Sequence, residues 1–279
     1  MTSSTMTPLV TVSWLHDHLH DDNLIILDAS IGDFRHASEK IPGALAMDID
    51  GEFSDHSTDV PHTMISAEAF QELARALGVT DDSTIVIYDT QGMFSAARGW
   101  WMWKSMGCTT VAVLDGGFPT WKAAGLPTTS GAPRTEREDG TPEGTFHAQY
   151  HPEFFVSAQD VLAALKDDHT VVLDARSAGR FAGTDPEPRE GLRSGHMSGA
   201  VNLPFTEVQQ DGIMLSPDQL SALFDEKADG APRTITSCGS GVTACVLALA
   251  ATLAGREDIA VYDGSWSEWG RPGELPVVQ

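Results

Sequence analysis

Leu24-Ile25-Ile26-Leu27-Asp28-Ala29 returns later in the chain as Thr170-Val171-Val172-Leu173-Asp174-Ala175. Each copy is a short apolar run closed by Asp-Ala, which reads as a buried strand. The echo continues outward. Ile41-Pro42-Gly43-Ala44 returns as Met197-Ser198-Gly199-Ala200, with His196 where the first copy has Lys40. Thr84-Ile85-Val86-Ile87-Tyr88-Asp89 is answered by Thr234-Ile235-Thr236-Ser237-Cys238. Val113-Leu114-Asp115-Gly116-Gly117-Phe118 is answered by Val261-Tyr262-Asp263-Gly264-Ser265-Trp266, and a tryptophan follows in each copy, Trp121 and Trp269. The offsets are nearly constant: 146 from Asp28 to Asp174, 149 from Asp89 to Cys238 and 148 from Asp115 to Asp263. Only two units recur and each is domain-sized, so the repeat predicts two copies of one fold rather than a solenoid.

Within each copy, short apolar strands alternate with amphipathic helices. Ser66 is the N-cap of one helix, with Phe70, Leu73, Ala74 and Leu77 on one face and Gly78 at its end. Ser216-Pro217-Asp218-Gln219 opens another, with capping-box spacing and proline in the first turn; Leu220, Leu223 and Phe224 form its apolar face. Such alternation predicts an α/β fold, each domain a mainly parallel sheet flanked by helices, with ligands beyond the carboxyl ends of the strands. The stretch from Thr128 to His151 is rich in Gly, Pro, Thr and charge and lacks periodicity. The expected division is therefore a first domain over 8–127, a linker over 128–152 and a second domain over 153–279.

The chain has 279 residues, with 40 acidic against 17 lysine and arginine side chains and a formal charge of −23. That balance excludes a nucleic-acid backbone as partner and requires local arginines for any anionic substrate. The longest apolar run, near Ala244 to Ala254, is too short to span a bilayer, so no membrane partner is expected. No secretory signal pattern is visible near Met1, and the expectation is a cytoplasmic protein. Cys108, Cys238 and Cys245 form neither a disulfide framework nor a zinc spacing. His16, His18 and His20 invite a metal reading, but on a helix only His16 and His20 share a face, and no metal is expected. Cys108 reads as packing. Cys245 is expected two turns into the helix that follows Cys238, buried or redox-active.

Ser237-Cys238-Gly239-Ser240-Gly241-Val242-Thr243-Ala244 joins the strand beginning Arg233-Thr234-Ile235-Thr236 to the apolar helix that ends before Gly255. A strand, a tight turn and a helix put Cys238 among backbone N–H groups that lack intrahelical partners and favour negative charge. The thiolate is the nucleophilic form of cysteine, so this is a candidate nucleophile; the plainer alternative is a small buried cysteine in a βα turn. In the first copy Asp89-Thr90-Gln91-Gly92 occupies the same place, and a carboxylate cannot carry a sulfur, so that copy is expected to be catalytically silent.

Cys238-Gly239-Ser240-Gly241-Val242-Thr243 resembles the active-site loop of the rhodanese superfamily, most closely that of its tandem-domain 3-mercaptopyruvate sulfurtransferases. The resemblance covers nearly the whole chain. It includes Asp174-Ala175-Arg176 with Gly179-Arg180-Phe181, Pro186-Glu187-Pro188-Arg189, Gly195-His196 through Gly199-Ala200, and Tyr262-Asp263-Gly264-Ser265-Trp266. It implies two tandem rhodanese-like domains and a reaction in which Cys238 takes the sulfur of 3-mercaptopyruvate as a persulfide and releases pyruvate. The acceptor would be cyanide or a thiol, such as a small thiol or a thioredoxin-like protein, and no cofactor is implied. Gly239, Gly241, Val242 and Thr243 would line the substrate loop, and Arg180 and Arg189 would clamp the carboxylate of a small anionic donor, with Arg193 in reserve. His196 is expected to shape a turn. Ser240, His62 and Asp50 match a serine, histidine and aspartate that could form a proton relay, with His56 an alternative to His62. Silent though it is, the first domain would supply a wall of the cleft; Trp100 and Trp101 read as core.

Three rival readings remain. A cysteine phosphatase needs an arginine closing the loop, where this chain has Ala244. A thiosulfate sulfurtransferase is disfavoured by the neutral Gly239-Ser240, because relatives specialised for that dianion tend to be basic there. A non-catalytic persulfide carrier would not need a 2-oxo-acid clamp.

Overall fold

The computed structural model describes residues 6–134 and 143–279. The chain forms two compact units. The first comprises Met1–Asp55, Met64–His151 and Asp211–Ile213; the second comprises His56–Thr63, Pro152–Gln210 and Met214–Gln279. The second unit thus includes an eight-residue segment from the first half of the sequence, which no pattern along the chain announces.

In the first unit the strands are β1 (Leu9–Val10), β2 (Leu24–Asp28), β3 (Leu45–Ala46), β4 (Thr84–Tyr88) and β5 (Val111–Leu114). They make one sheet in the order β1-β5-β4-β2-β3, every pair parallel. Its helices are α1 (Val12–His18), α2 (Ala67–Ala76), α3 (Ala96–Ser105) and α4 (Gly117–Ala123). The second unit repeats the scheme with β6 (Phe155–Val156), β7 (Thr170–Asp174), β8 (Val201–Asn202), β9 (Arg233–Ser237) and β10 (Asp258–Tyr262). Its order, β6-β10-β9-β7-β8, is the same and all parallel. Its helices are α5 (Ala158–Ala164), α6 (Ala178–Ala182), α7 (Pro217–Ala228), α8 (Ala244–Leu253) and α9 (Ser265–Trp269).

The central strands are buried along almost their whole length, as Val/Ile/Leu runs in a two-faced parallel sheet should be. Leu15, Ile26, Val86 and Trp121 belong to the core of the first unit; Val161, Val172, Ile235, Trp266 and Trp269 belong to that of the second. The duplication extends to single hydrogen bonds. Trp121 Nε1 donates to Pro127 O, and Trp269 Nε1 to Pro276 O, both at 2.8 Å. Phe118 N donates to Asp89 O, and Trp266 N to Cys238 O, both at 2.9 Å. That second pair makes Asp89 and Cys238 equivalent in space as well as in sequence.

The helix caps follow the local sequence. Ser66 accepts from Ala69 N at the start of α2, and Ser216 with Gln219 forms a capping box on α7. Two readings are corrected. Helix α1 ends at His18, so His20 lies beyond it and shares no helix face with His16. Cys245 is in the first turn of α8, not the second, because that helix begins only at Ala244; its Sγ donates to Gly241 O at 3.2 Å. Of the expected linker, 135–142 lie outside the described residues. The remainder up to His151 groups with the first unit, where Thr129–Ser130 pairs with Glu39–Lys40 and Phe146 lies 5.2 Å from the Trp103 ring, and Pro152 groups with the second.

Candidate active site

Strand β9 ends at Ser237, and the chain turns through Cys238 to Thr243 before α8 begins. Helix α9 holds this turn from one side. Cys238 N donates to Ser265 Oγ at 3.1 Å, Trp266 N to Cys238 O at 2.9 Å, and Ser267 N and Oγ to Gly239 O at 2.8 and 2.7 Å. Ser265 adopts a left-handed backbone, φ +47°, and its hydroxyl also donates to Tyr262 O at 2.8 Å. A non-glycine residue held there stores strain that the two hydrogen bonds of its hydroxyl, with Cys238 N and Tyr262 O, help to offset. With its base fixed, the Cys238 side chain sits beyond the carboxyl end of the sheet, 2% exposed.

The equivalent loop of the first unit shows what such a turn does with negative charge. Asp89 is fully buried and accepts from Gln91 N at 2.9 Å and from Ser95 N and Ala96 N at 2.8 Å each. Burial pushes its carboxyl above the usual aspartate range, and the N–H bonds oppose that shift. Its oxygens thus occupy the mouth of α3. Helix α8 starts with no side-chain cap, and Cys245 N and Val246 N donate within the turn, to Val242 O and Thr243 O at 3.1 Å each.

Two guanidinium groups approach this loop. Arg180 comes from α6, which is separated from β7 by the three residues 175–177, and Arg189 from the exposed loop after it. A Cβ placed on Gly239 would stand 3.1 Å from Arg180 Nη2 and 3.9 Å from Arg189 Nη1. The missing side chain at Gly239 is what lets Arg180 close on the backbone beside Cys238, while Arg189 would keep ordinary contact distance from a Cβ there. Arg180 is steadied by Glu187, a residue to which sequence reasoning gave no role although it sits inside the Pro186–Arg189 motif. Arg193, the reserve candidate, donates instead to the carbonyls of Trp269 and Leu275 at 2.9 Å, and so belongs to the scaffold. His196 stacks on Phe181 at 3.9 Å and bonds its carbonyl.

On the other side of the loop, His62 Nδ1 lies 2.9 Å from Ser240 Oγ. His62 also has a left-handed backbone, φ +63°. Its segment belongs to the second unit, where Arg271 donates to Asp59 O at 2.7 Å and to Ser267 O at 2.8 Å. His56, on the same segment, is exposed. Asp50 belongs to the first unit, where its carboxylate accepts from Gly32 N at 2.6 Å and faces Arg35 at 3.7 Å. Trp100 and Trp101 are buried in α3. Among the described residues no cluster of three or more His, Cys, Asp or Glu side chains is placed to hold a metal, and no helix is long and apolar enough to cross a membrane.

The rhodanese-like domain family matches twice, over residues 11–124 and 157–271. The chain is 42% identical to rat 3-mercaptopyruvate sulfurtransferase over 277 residues, covering 94% of this chain and 91% of that protein. It is 38% identical to the mitochondrial thiosulfate/3-mercaptopyruvate sulfurtransferase 1 of Arabidopsis thaliana, covering 98% and 79%. The crystal structure of SseA from Escherichia coli, described as a 3-mercaptopyruvate sulfotransferase, superposes with a TM-score of 0.80 at 35% identity, covering 94% of this chain and all of that one. With both sheets, both family matches and a near full-length relative in agreement, the chain belongs to the rhodanese family as a tandem pair of rhodanese-like domains.

Proposed function

We propose that the protein is a 3-mercaptopyruvate sulfurtransferase, with Cys238 as nucleophile and Arg180 and Arg189 as the carboxylate clamp. The observation that carries the reading is the approach of both guanidiniums to the uncharged loop at Gly239. A guanidinium grips a carboxylate with two parallel N–H donors, and a 2-oxo acid offers a carboxylate beside a ketone oxygen. The relatives' names point the same way.

The steps balance as follows. The Cys238 thiolate attacks the sulfur of the donor, an S–S bond forms and the C–S bond breaks. The electron pair passes to the methylene carbon as the enolate of pyruvate. The proton of the donor thiol moves to that carbon, so pyruvate leaves and the enzyme keeps a persulfide anion. Ser240 and His62, in hydrogen-bond contact, are suited to carry this proton. Asp50 enters the relay on the family resemblance alone. The loop N–H groups hold the persulfide charge, as their counterparts hold Asp89. A thiolate acceptor, from a small thiol or a thioredoxin-like protein, or cyanide, then attacks the outer sulfur and restores Cys238.

The test is pyruvate release from 3-mercaptopyruvate with a thiol acceptor, compared with sulfite release from thiosulfate with cyanide. The reading requires the larger kcat/KM for mercaptopyruvate, and a larger value for thiosulfate sinks it. Intact-mass measurement after donor alone should show one added sulfur, absent in Cys238→Ser.

A further inference from the structure

Arg180 does not meet the donor as a free cation. Its Nε donates to Glu187 Oε1 at 3.3 Å and its Nη2 to Oε2 at 2.6 Å. The same carboxylate accepts from Arg176 Nη1 at 2.7 Å, and the Glu187 side chain is only 2% exposed. Arg176 is itself fully buried. It donates to both oxygens of Asp174, through Nε at 3.1 and 3.0 Å and Nη2 at 2.7 Å, and to Gly195 O at 2.9 Å. Its guanidinium carbon lies 3.9 Å from the Trp266 ring centroid.

The formal charges run in alternation from the core to the loop. Asp174 cancels Arg176, and Glu187 cancels Arg180. The loop from Gly239 to Thr243 carries none. Of the two arginines beside Gly239, Arg180 is neutralised by Glu187, which leaves the pair with the single net positive charge of Arg189. A buried carboxylate this close to a substrate-facing arginine lowers the potential felt by any incoming anion, and the effect grows with the charge of that anion. A 2-oxo acid with its thiol protonated carries one negative charge, whereas thiosulfate carries two.

We propose that Glu187 is a specificity-determining residue. By holding the clamp at a single net positive charge it favours a monoanionic 2-oxo-acid donor over a dianionic sulfur donor. The carboxylate also fixes the plane of Arg180 through two donors, which leaves Nη1 and the remaining Nη2 hydrogen for the donor. This inference rests on the donor reading given above.

The experiment measures kcat/KM for 3-mercaptopyruvate and for thiosulfate on the same preparations of the wild type, Glu187→Gln and Glu187→Asp. The ratio of the two constants cancels any loss of folded enzyme. Removing the charge in Glu187→Gln should raise the thiosulfate-to-mercaptopyruvate ratio about tenfold at low salt, and added NaCl should shrink that gain. Glu187→Asp keeps the charge and should hold the ratio within about twofold of the wild type. A ratio that stays flat in Glu187→Gln while both rates fall together would overturn the proposal and leave Glu187 a purely structural residue. A wild-type chain that releases no pyruvate is a different failure: it removes the donor reading and this proposal with it.

Discussion

Gly239 is the residue at which the Cys238 loop meets the proposed clamp, and its absent side chain makes a testable demand. Alanine would put a methyl 3.1 Å from Arg180 Nη2, closer than carbon and nitrogen sit comfortably. An arginine tip would normally swing aside, but Glu187 holds this one at 2.6 Å. Gly239→Ala should therefore raise KM for the 2-oxo acid about three- to tenfold, about 1 kcal/mol, with a smaller change in kcat. An unchanged KM would mean that the Arg180 tip yields freely and is no clamp. Ser240 and His62 make a second residue-scale prediction. Acting as one proton path, they should lose kcat non-additively: Ser240→Ala, His62→Ala and the double variant should each fall by a similar factor, about tenfold or more. Two independent losses that multiply in the double variant would separate them. Cys238, Ser240, Arg180 and Arg189 could be singled out as candidates because a motif names them. Glu187, Arg176 and Ser265 were not given roles, since what defines them is a partner brought near by the fold. Ser265, for example, reaches Cys238 N across 27 residues of sequence.

At the scale of elements, α7 and α9 show opposite relations between sequence and structure. The start of α7 was readable, as Ser216 and Gln219 satisfy each other's backbone N–H groups with no help from elsewhere. Ser216→Ala should cost about 1 kcal/mol, lowering Tm by about 2–4 °C, with kcat/KM unaltered. Helix α9 has five residues, too few to persist alone, and its value lies in what its first turn grips. Ser265→Ala would strip the acceptor from Cys238 N and the donor from Tyr262 O, and leave alanine in a left-handed backbone. That should cost about 2–3 kcal/mol in stability and, unlike the α7 change, also lower the rate of sulfur loading onto Cys238. Thermal melts and single-turnover pyruvate bursts on the two variants distinguish a cap from a clamp; equal activity in both would strip α9 of any part in the site. Helix α8 illustrates why a position within an element reads less well than the element. Its apolar run starts at Ala244, as the helix does, but a run that is apolar on every face gives no periodicity from which to count turns, and so the sequence sets Cys245 one turn too deep.

For the molecule as a whole, the duplication was the most legible feature, because equal strand order needs only equal apolar patterning. The grouping of His56–Thr63 with the second unit was not, because contacts between distant segments leave no local mark. Net charge acts at this same scale. With −23 formal charges on 279 residues, the folded chain crowds like charges that the unfolded chain spreads apart. Exposed ion pairs such as Lys122–Glu39 offset little of this, since solvent and salt screen them. Screening should therefore stabilise the protein. Between about 10 mM and 0.3 M NaCl the Debye length falls from about 30 Å to below 8 Å, which quenches repulsion between carboxylates on opposite faces before it weakens contacts at 3 Å. Tm should rise by a few degrees over that range, a shift of about 2–4 °C for each kcal/mol relieved. Chloride is the right anion for the test, because sulfate would raise Tm by exclusion from the surface whatever the charge. A Tm that falls with NaCl would mean that exposed local ion pairs outweigh the global field. The expected rise would instead rank those pairs below the global field, while the buried Asp174–Arg176–Glu187–Arg180 series, which salt screens much less, keeps its strength across the whole range.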